Sequence, residues 1–201
     1  MNIFLIGLPK SGRTTMAKAL TEDGKYRYID ASSWLKATFR ERLADEQLQQ
    51  YLDEYYSFLT KRLNTNPYFV MDNVYDLMKS YEGEGHPYIV DGLSSPKDFT
   101  HLFDYRTDIV VFLNRTDNDS EHHRDQDGIG ISCIRDYCFW MAAAGLLPRS
   151  RWIEYNYKIP GEDTAFVKAL GSKNSVFITK SLKRAISHLK ETVKVLSPTE
   201  H

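Results

Sequence analysis

Hydrophobic residues occur along this chain in two alternating patterns. Short apolar runs, rich in Ile, Val, Leu and Phe, predict β-strands, and longer segments with apolar residues every three or four positions predict helices. The predicted strands are residues 2–6, 26–29, 88–90, 108–114 and 176–179. The predicted helices include residues 14–20, 67–78, 131–147, where Pro148 ends the pattern, and 181–195.

This alternation predicts an α/β fold, with a five-stranded parallel sheet and helices on both faces. The run IVVFL at 109–113 is apolar throughout, which is typical of a central parallel strand. Residues 152–157 alternate between apolar and polar side chains, and we expect them to form an edge strand. A length of 201 residues suits one well-buried domain.

Composition narrows the function only slightly. With 26 basic and 27 acidic residues the net charge is −1, so the chain lacks an overall attraction for nucleic acid or an anionic membrane, although a local basic groove stays open. No apolar run reaches the length of a membrane span and no leader pattern precedes the first strand, so we expect a cytoplasmic protein. Cys133 and Cys138 are five residues apart in a predicted helix, on different faces, and we expect free thiols.

The most informative stretch is GLPKSGRT at residues 7–14. It follows the first strand, precedes the first helix and matches the phosphate-binding pattern G-x-x-x-x-G-K-[ST], except that Arg13 stands in the lysine position. In that pattern the glycines let backbone N–H groups and the helix N-terminus face phosphate oxygens, and the Thr14 hydroxyl can ligate Mg²⁺. Arg13 keeps the positive charge but forks onto two oxygens. An ordinary strand–turn–helix connection is the alternative.

Other polar residues follow the predicted strands. The carboxyl ends of parallel strands lie at one edge of the sheet, where ligands bind in folds of this class. The residues expected at that edge are Gly7, Asp30, Asp91, Arg115 and Thr179.

With the motif at 7–14, Asp91-Gly92 after the third strand and the ending VFITKSLKRAISHLKETV, the chain resembles the P-loop nucleoside and nucleotide kinases, in particular adenylate and thymidylate kinase-like enzymes. The resemblance implies a P-loop NTPase-type fold in a single domain, residues 1–201. Its core would comprise residues 1–30, 86–115 and 175–196. A helical insertion for the acceptor would span 31–85 and a long lid region 116–174. One departure is Leu93-Ser94-Ser95, where adenylate kinases have Phe-Pro-Arg.

The resemblance also implies roles for individual residues. ATP would bind the loop, and Thr179 would border the base; Mg²⁺ would bind through Thr14 and, by water, near Asp91. Asp91 has a second interpretation, as a base toward a hydroxyl acceptor. The residues expected to contact ATP are Gly7, Lys10, Ser11, Gly12, Arg13, Thr14, Thr15 and Thr179. Those expected to carry catalysis are Arg13, Asp91 and the lid residue Arg124. Those expected on the acceptor are Asp30, Lys36, Arg40, Arg115 and Arg135.

Three functions are compatible with these residues. The first is ATP-dependent phosphoryl transfer to a small nucleotide or nucleotide-like acceptor. The second is a kinase acting on a hydroxyl, of a modified base or of a DNA end. The third is a nucleotide-binding protein in which Arg13 has abolished turnover and the bound state acts on a partner. For Arg135 itself, pairing with a carboxylate is the alternative to a phosphate contact.

Overall fold

A computed structural model describes residues 1–8, 11–31, 57–58, 60–81, 85–115, 126–157, 175–179 and 182–196. Within these ranges six parallel strands form one sheet, in the order β2-β3-β1-β4-β5-β6. The strands are β1 Ile3–Gly7, β2 Arg27–Asp30, β3 Tyr88–Asp91, β4 Ile109–Arg115, β5 Trp152–Tyr157 and β6 Ser175–Thr179.

The described helices connect these strands. They are α1 Arg13–Thr21, α2 Phe69–Ser80, α3 Pro96–Leu102, α4 Gln126–Ala143 and α5 Leu182–Leu196, with a short 3₁₀ turn at Arg149–Arg151. Residues 60–65 are also helical. Helix α3 shows how the local sequence sets a boundary: Ser95 caps it by accepting a hydrogen bond from the Asp98 N–H at 3.3 Å, and Pro96 occupies the first turn.

The predicted fold class is confirmed, and one strand prediction is wrong in position. Residues 152–157 form a strand as expected, but β5 lies inside the sheet, paired with both β4 and β6, so the parallel sheet has six strands rather than five with a separate edge strand. The alternation that suggested an edge strand has another cause. Its polar residue Glu154 faces Arg135 of helix α4 rather than solvent. The predicted lid region 116–174 therefore includes a strand of the central sheet.

Both ends predicted for helix α4, residues 131 and 147, are also wrong. The helix begins at Gln126 and ends at Ala143, before Pro148. Gly145 adopts a left-handed conformation with φ +74°. The N–H of Leu146 then donates to Met141 O, and that of Gly145 to Ala142 O, which together cap the last carbonyls. Glycine rather than proline stops this helix.

Two apolar clusters, one on each face of the sheet, hold the helices in place. On one face, the sheet packs against α1 and α5; on the other, against α2, α3 and α4. The first cluster includes Ile3, Leu5, Met16, Leu20, Ile89, Val111, Tyr155 and Leu189. The second includes Phe4, Ile6, Val74, Val90, Phe99, Phe112, Ile134 and Trp152. Burial on both faces explains why the central strands are apolar throughout.

Helix α4 approaches the chain after β3 very closely. A Cβ atom on Gly130 would lie 2.0 Å from the carbonyl oxygen of Ser94 and 3.8 Å from Pro96. Only glycine allows this approach. It places α4 beside the segment that follows the carboxyl end of β3.

The two cysteines are free, as the sequence predicts, with Cys133 exposed and Cys138 buried on helix α4. In the described ranges, no helix combines the length and the apolar character needed to cross a membrane.

We expect Gly130→Ala to destabilise the protein by about 1–3 kcal/mol, because the new methyl group overlaps a backbone oxygen that cannot rotate away. The effect should appear as a lower Tm in a thermal scan, even though alanine is intrinsically a better helix former than glycine. Cys133→Ala, on the exposed face of the same helix, is the matched control and should leave Tm nearly unchanged. Equal Tm values for the two variants would contradict the close approach.

Burial raises the pKa of the Cys138 thiol to about 12, so only one thiol of the native protein should react with a disulfide reagent at pH 8. Cys133→Ser should abolish the native reaction, and denaturant should release one reactive thiol from that variant. Rapid native labelling of the Cys133→Ser protein would show that α4 does not bury Cys138.

Candidate active site

The predicted phosphate loop joins β1 to α1. Strand β1 ends at Gly7, Gly12 adopts a left-handed conformation with φ +83°, and α1 begins at Arg13. Among the described residues, no side chain caps the first turn of α1. Its uncapped N–H groups and the positive end of the helix dipole therefore form a site suited to an anion.

Gly7 and Ser11 pack against each other under this helix end. A Cβ atom on Gly7 would lie 2.6 Å from the carbonyl oxygen of Leu113 and 2.6 Å from Ser11 Oγ, so the glycine allows the loop to lie on strand β4. Ser11 is buried, and its Oγ has no hydrogen-bond partner among the described residues. A buried hydroxyl left in this state is suited to a ligand oxygen.

Asp91, the last residue of β3, is the centre of the site. Its side chain is only 4% exposed, and residues of α1 and β2 contact its carboxylate oxygens. The Thr14 hydroxyl donates to Asp91 Oδ2 at 3.1 Å, and the Tyr28 hydroxyl donates to the same oxygen at 3.2 Å. Arg13 Nε lies 3.2 Å from the other oxygen, Oδ1.

The Arg13–Asp91 pair is held by charge more than by hydrogen-bond geometry. Although Nε and Oδ1 are within ion-pair distance, Oδ1 has no aligned hydrogen-bond donor among the described residues. Arg13 is 18% exposed and Asp91 is buried. Removing one partner of such a pair typically costs about 3–5 kcal/mol, since the other charge is left without compensation. Asp91 therefore needs a cation beside it.

Tyr28 completes the surroundings of Asp91. Burial raises the pKa of the Tyr28 hydroxyl, and the Asp91 carboxylate raises it further. The phenol therefore stays protonated at any physiological pH and acts as a hydrogen-bond donor to Asp91.

These residues fit ATP and Mg²⁺ in different degrees. The N-terminus of α1 and the Ser11 Oγ, which have no side-chain partner among the described residues, fit phosphate oxygens. The Thr14 hydroxyl and the Asp91 carboxylate converge within 3.1 Å, and oxygen is the ligand atom that Mg²⁺ prefers. Arg13, however, already lies beside Asp91. Mg²⁺ and Arg13 would thus compete for the same carboxylate, that of Asp91.

A second polar cluster surrounds Arg135 on the other face of the sheet. An Arg135 guanidinium nitrogen lies 2.9 Å from Glu154 Oε1 and donates to Asn114 Oδ1 at 2.7 Å. The Asn114 amide donates to Glu154 and to Asn156, each at 2.8 Å. The Arg135 Cζ also lies 5.3 Å from the centre of the Phe112 ring. Of the two interpretations of Arg135, the structure supports pairing with a carboxylate.

The remaining predicted site residues are placed only in part. Asp30 ends β2 and pairs in register with Asp91, as expected for residues at one edge of the sheet. Thr15 is exposed in the first turn of α1. Arg115 and Thr179 end β4 and β6. The predictions for Lys10, Lys36, Arg40 and Arg124 lie outside the described residues.

Sequence reasoning missed Tyr28 and the partners of Arg135. Two signals were present for the second group. Glu154 and Asn156 are two residues apart in one strand, which places both on one face, and Asn114 follows the apolar run of β4. The hydroxyl of Tyr28 reaches across from a neighbouring strand, and nothing in the sequence near residue 28 predicts that contact.

Comparison with known proteins finds matches among solved structures. No family model matches the chain, and the search of curated proteins finds no match. Among solved structures, 90 chains match. The shikimate kinase of Aquifex aeolicus is 15% identical, with a TM-score of 0.43 and 97% of each chain covered.

Two further shikimate kinases are similar at the same level. That of Acinetobacter baumannii, solved with shikimate, is 13% identical with a TM-score of 0.41, and covers 100% of this chain and 95% of its own. That of Bacteroides thetaiotaomicron is 14% identical with a TM-score of 0.42, and covers 96% of this chain and 98% of its own. Likeness at this level does not transfer a substrate. The finer resemblance to adenylate and thymidylate kinases stays a prediction.

We expect Thr14→Val and Tyr28→Phe each to destabilise the protein by about 1 kcal/mol, since each removes a donor from a buried carboxylate. Because both donate to one oxygen, either compensates for the other, so the double variant should lose more than the sum of the two. Urea unfolding measures all three.

The matched control is Tyr75→Phe, whose exposed hydroxyl lies 3.5 Å from His101 O and should contribute little. A Tyr28→Phe protein as stable as Tyr75→Phe would show that the Tyr28–Asp91 contact does not contribute to stability.

Proposed function

We propose that this protein transfers the γ-phosphoryl group of ATP to a small nucleotide or nucleotide-like acceptor. The observation that carries the proposal is the N-terminus of α1. It directly follows Gly12, no described side chain caps it, and its first residue, Arg13, lies beside Asp91. Phosphoryl transfer requires mainly positioning and neutralisation of charge, which backbone N–H groups and fixed cations supply.

Each residue of the site has a defined part in this proposal. The N–H groups of α1 and the Ser11 hydroxyl hold the terminal phosphates of ATP, and Gly7 and Gly12 let the loop approach them. Arg13 supplies positive charge at the transferring group. Thr14 and Asp91 hold Mg²⁺, which neutralises phosphate charge when bound. Whether Asp91 instead acts as a base toward a hydroxyl stays a prediction.

The acceptor belongs at the same edge of the sheet, next to Asp30. Arg135 lies in the second polar cluster, on the other face of the sheet, and is paired with Glu154. Its proposed phosphate contact therefore requires that this pair open. The acceptor roles of Lys36, Arg40 and Arg115, and the lid role of Arg124, stay predictions.

One observation favours a second candidate function. Arg13, at the position that normally contacts phosphate, is paired with Asp91. A protein in which this pair persisted would bind ATP without turning it over, as a nucleotide-dependent partner of another molecule would.

The test is conversion of ATP to ADP with Mg²⁺ against nucleoside monophosphates, nucleosides, other small hydroxyl compounds and DNA ends. We expect turnover that depends on one acceptor class and falls about 10²–10³-fold in Arg13→Ala, because a charge at the transferring group is lost. Arg106→Ala is the matched control, since Arg106 is exposed and precedes β4, at the opposite end of the sheet.

Two results would contradict this proposal. Equal turnover of the wild type and Arg13→Ala would remove Arg13 from the chemistry. ATP binding without turnover on any acceptor, with turnover gained in Arg13→Lys, would establish the second candidate function.

A further inference from the structure

We infer that the Arg13–Asp91 ion pair is a latch that couples metal to nucleotide: Arg13 turns to the phosphates only when Mg²⁺ takes its place beside Asp91. This inference rests on the proposed function, since it concerns the same site. It assigns to Arg13 a role in the free protein that the loop pattern does not describe.

The first step of the argument is the need of Asp91 for a cation. Its carboxylate is 4% exposed, and its two other contacts, Thr14 and Tyr28, are neutral donors to Oδ2. Arg13 is the cation at its Oδ1 in the described structure. If Arg13 moved away and no other cation replaced it, the buried charge of Asp91 would remain without compensation.

The second step is that Arg13 is the group suited to move. Its Nε is 3.2 Å from Oδ1 without the alignment of a hydrogen bond, and its side chain is partly exposed. It is also the first residue of α1, directly beside the uncapped N–H groups. A phosphate at that helix end would thus lie within the reach of its long side chain.

The third step combines the two. When nucleotide binds without metal, Arg13 either stays on Asp91 or moves to the phosphates and leaves Asp91 without a cation. Both outcomes lower the affinity for nucleotide. Metal without nucleotide must displace Arg13 when no phosphate receives it. Metal and nucleotide together satisfy both carboxylate and arginine, so each strengthens the binding of the other.

The test measures the affinity for ADP, as a fluorescent analogue that cannot be turned over, in EDTA and in Mg²⁺. In the wild type Mg²⁺ should tighten binding on the order of tenfold. In Asp91→Asn, which is close in shape, affinity in EDTA should rise on the order of tenfold and the effect of Mg²⁺ should disappear. Asp104→Asn, in an exposed ion pair before β4, is the matched control and should behave as the wild type does.

A double-mutant cycle separates the latch from a general gain of positive charge. If Asp91→Asn acts by freeing Arg13, its gain in EDTA should be absent when Arg13→Ala is also present. An equal gain in both backgrounds would overturn the latch. The wild type itself gives an independent reading, because the NMR signal of the Arg13 Nε–H, assigned with Arg13→Lys, should shift with ADP and Mg²⁺ together but little with ADP in EDTA. A full shift with ADP in EDTA would also overturn it.

Failure of the latch and failure of the proposed function give different results. If ADP binds and the cycle behaves as expected, but no acceptor supports turnover, the latch stands and phosphoryl transfer is wrong. If acceptor-dependent turnover is found, but Asp91→Asn does not raise affinity in EDTA, the latch is wrong and the proposed function stands. ADP binding to none of these proteins would overturn both.

Discussion

A buried carboxylate that requires a cation is the constraint around which this site is built. Asp91 receives one hydrogen bond from α1, another from β2, and a positive charge from the first residue of α1. The side chain thus joins α1 and β2 to its own strand, β3, at the carboxyl edge of the sheet. The Arg13–Asp91 pair is held by opposite charges, so a nucleotide phosphate would compete with Asp91 for Arg13, and a divalent cation would compete with Arg13 for Asp91.

The parallel sheet brings the residues around Asp91 together. Strand β3 lies between β2 and β1, so Asp91 has Tyr28 and Asp30 on one side and the loop after Gly7 on the other. Apolar packing on both faces fixes the strands, and polar residues collect where the strands end. The Arg135 cluster follows the same logic on the second face, at the ends of β4 and β5.

The sequence predicts those features that depend on local pattern. The run IVVFL and the glycine loop identify β4 and the start of α1, because burial on both faces and a phosphate-binding turn each leave a characteristic composition. The place of β5 was not predictable in this way. The alternation arises because Glu154 pairs with Arg135 of helix α4. A polar residue that faces a charged partner and one that faces solvent produce the same alternating pattern in a strand. The end of α4 shows a third case, where Gly145 at a left-handed conformation overrides the more obvious Pro148. For the site, the sequence supplies Arg13, Thr14 and Asp91, but their mutual contacts arise from tertiary geometry.

The close approach of Gly130 to Ser94 has a mechanical consequence. With no space between helix α4 and the backbone that follows Asp91-Gly92, a tilt of the helix at this point cannot be absorbed by side-chain adjustment. A shift of helix α4 toward Ser94 would therefore move the backbone of that residue with it. Arg135 lies five residues further along the same helix, and Asp91 lies three residues before Ser94 in the chain.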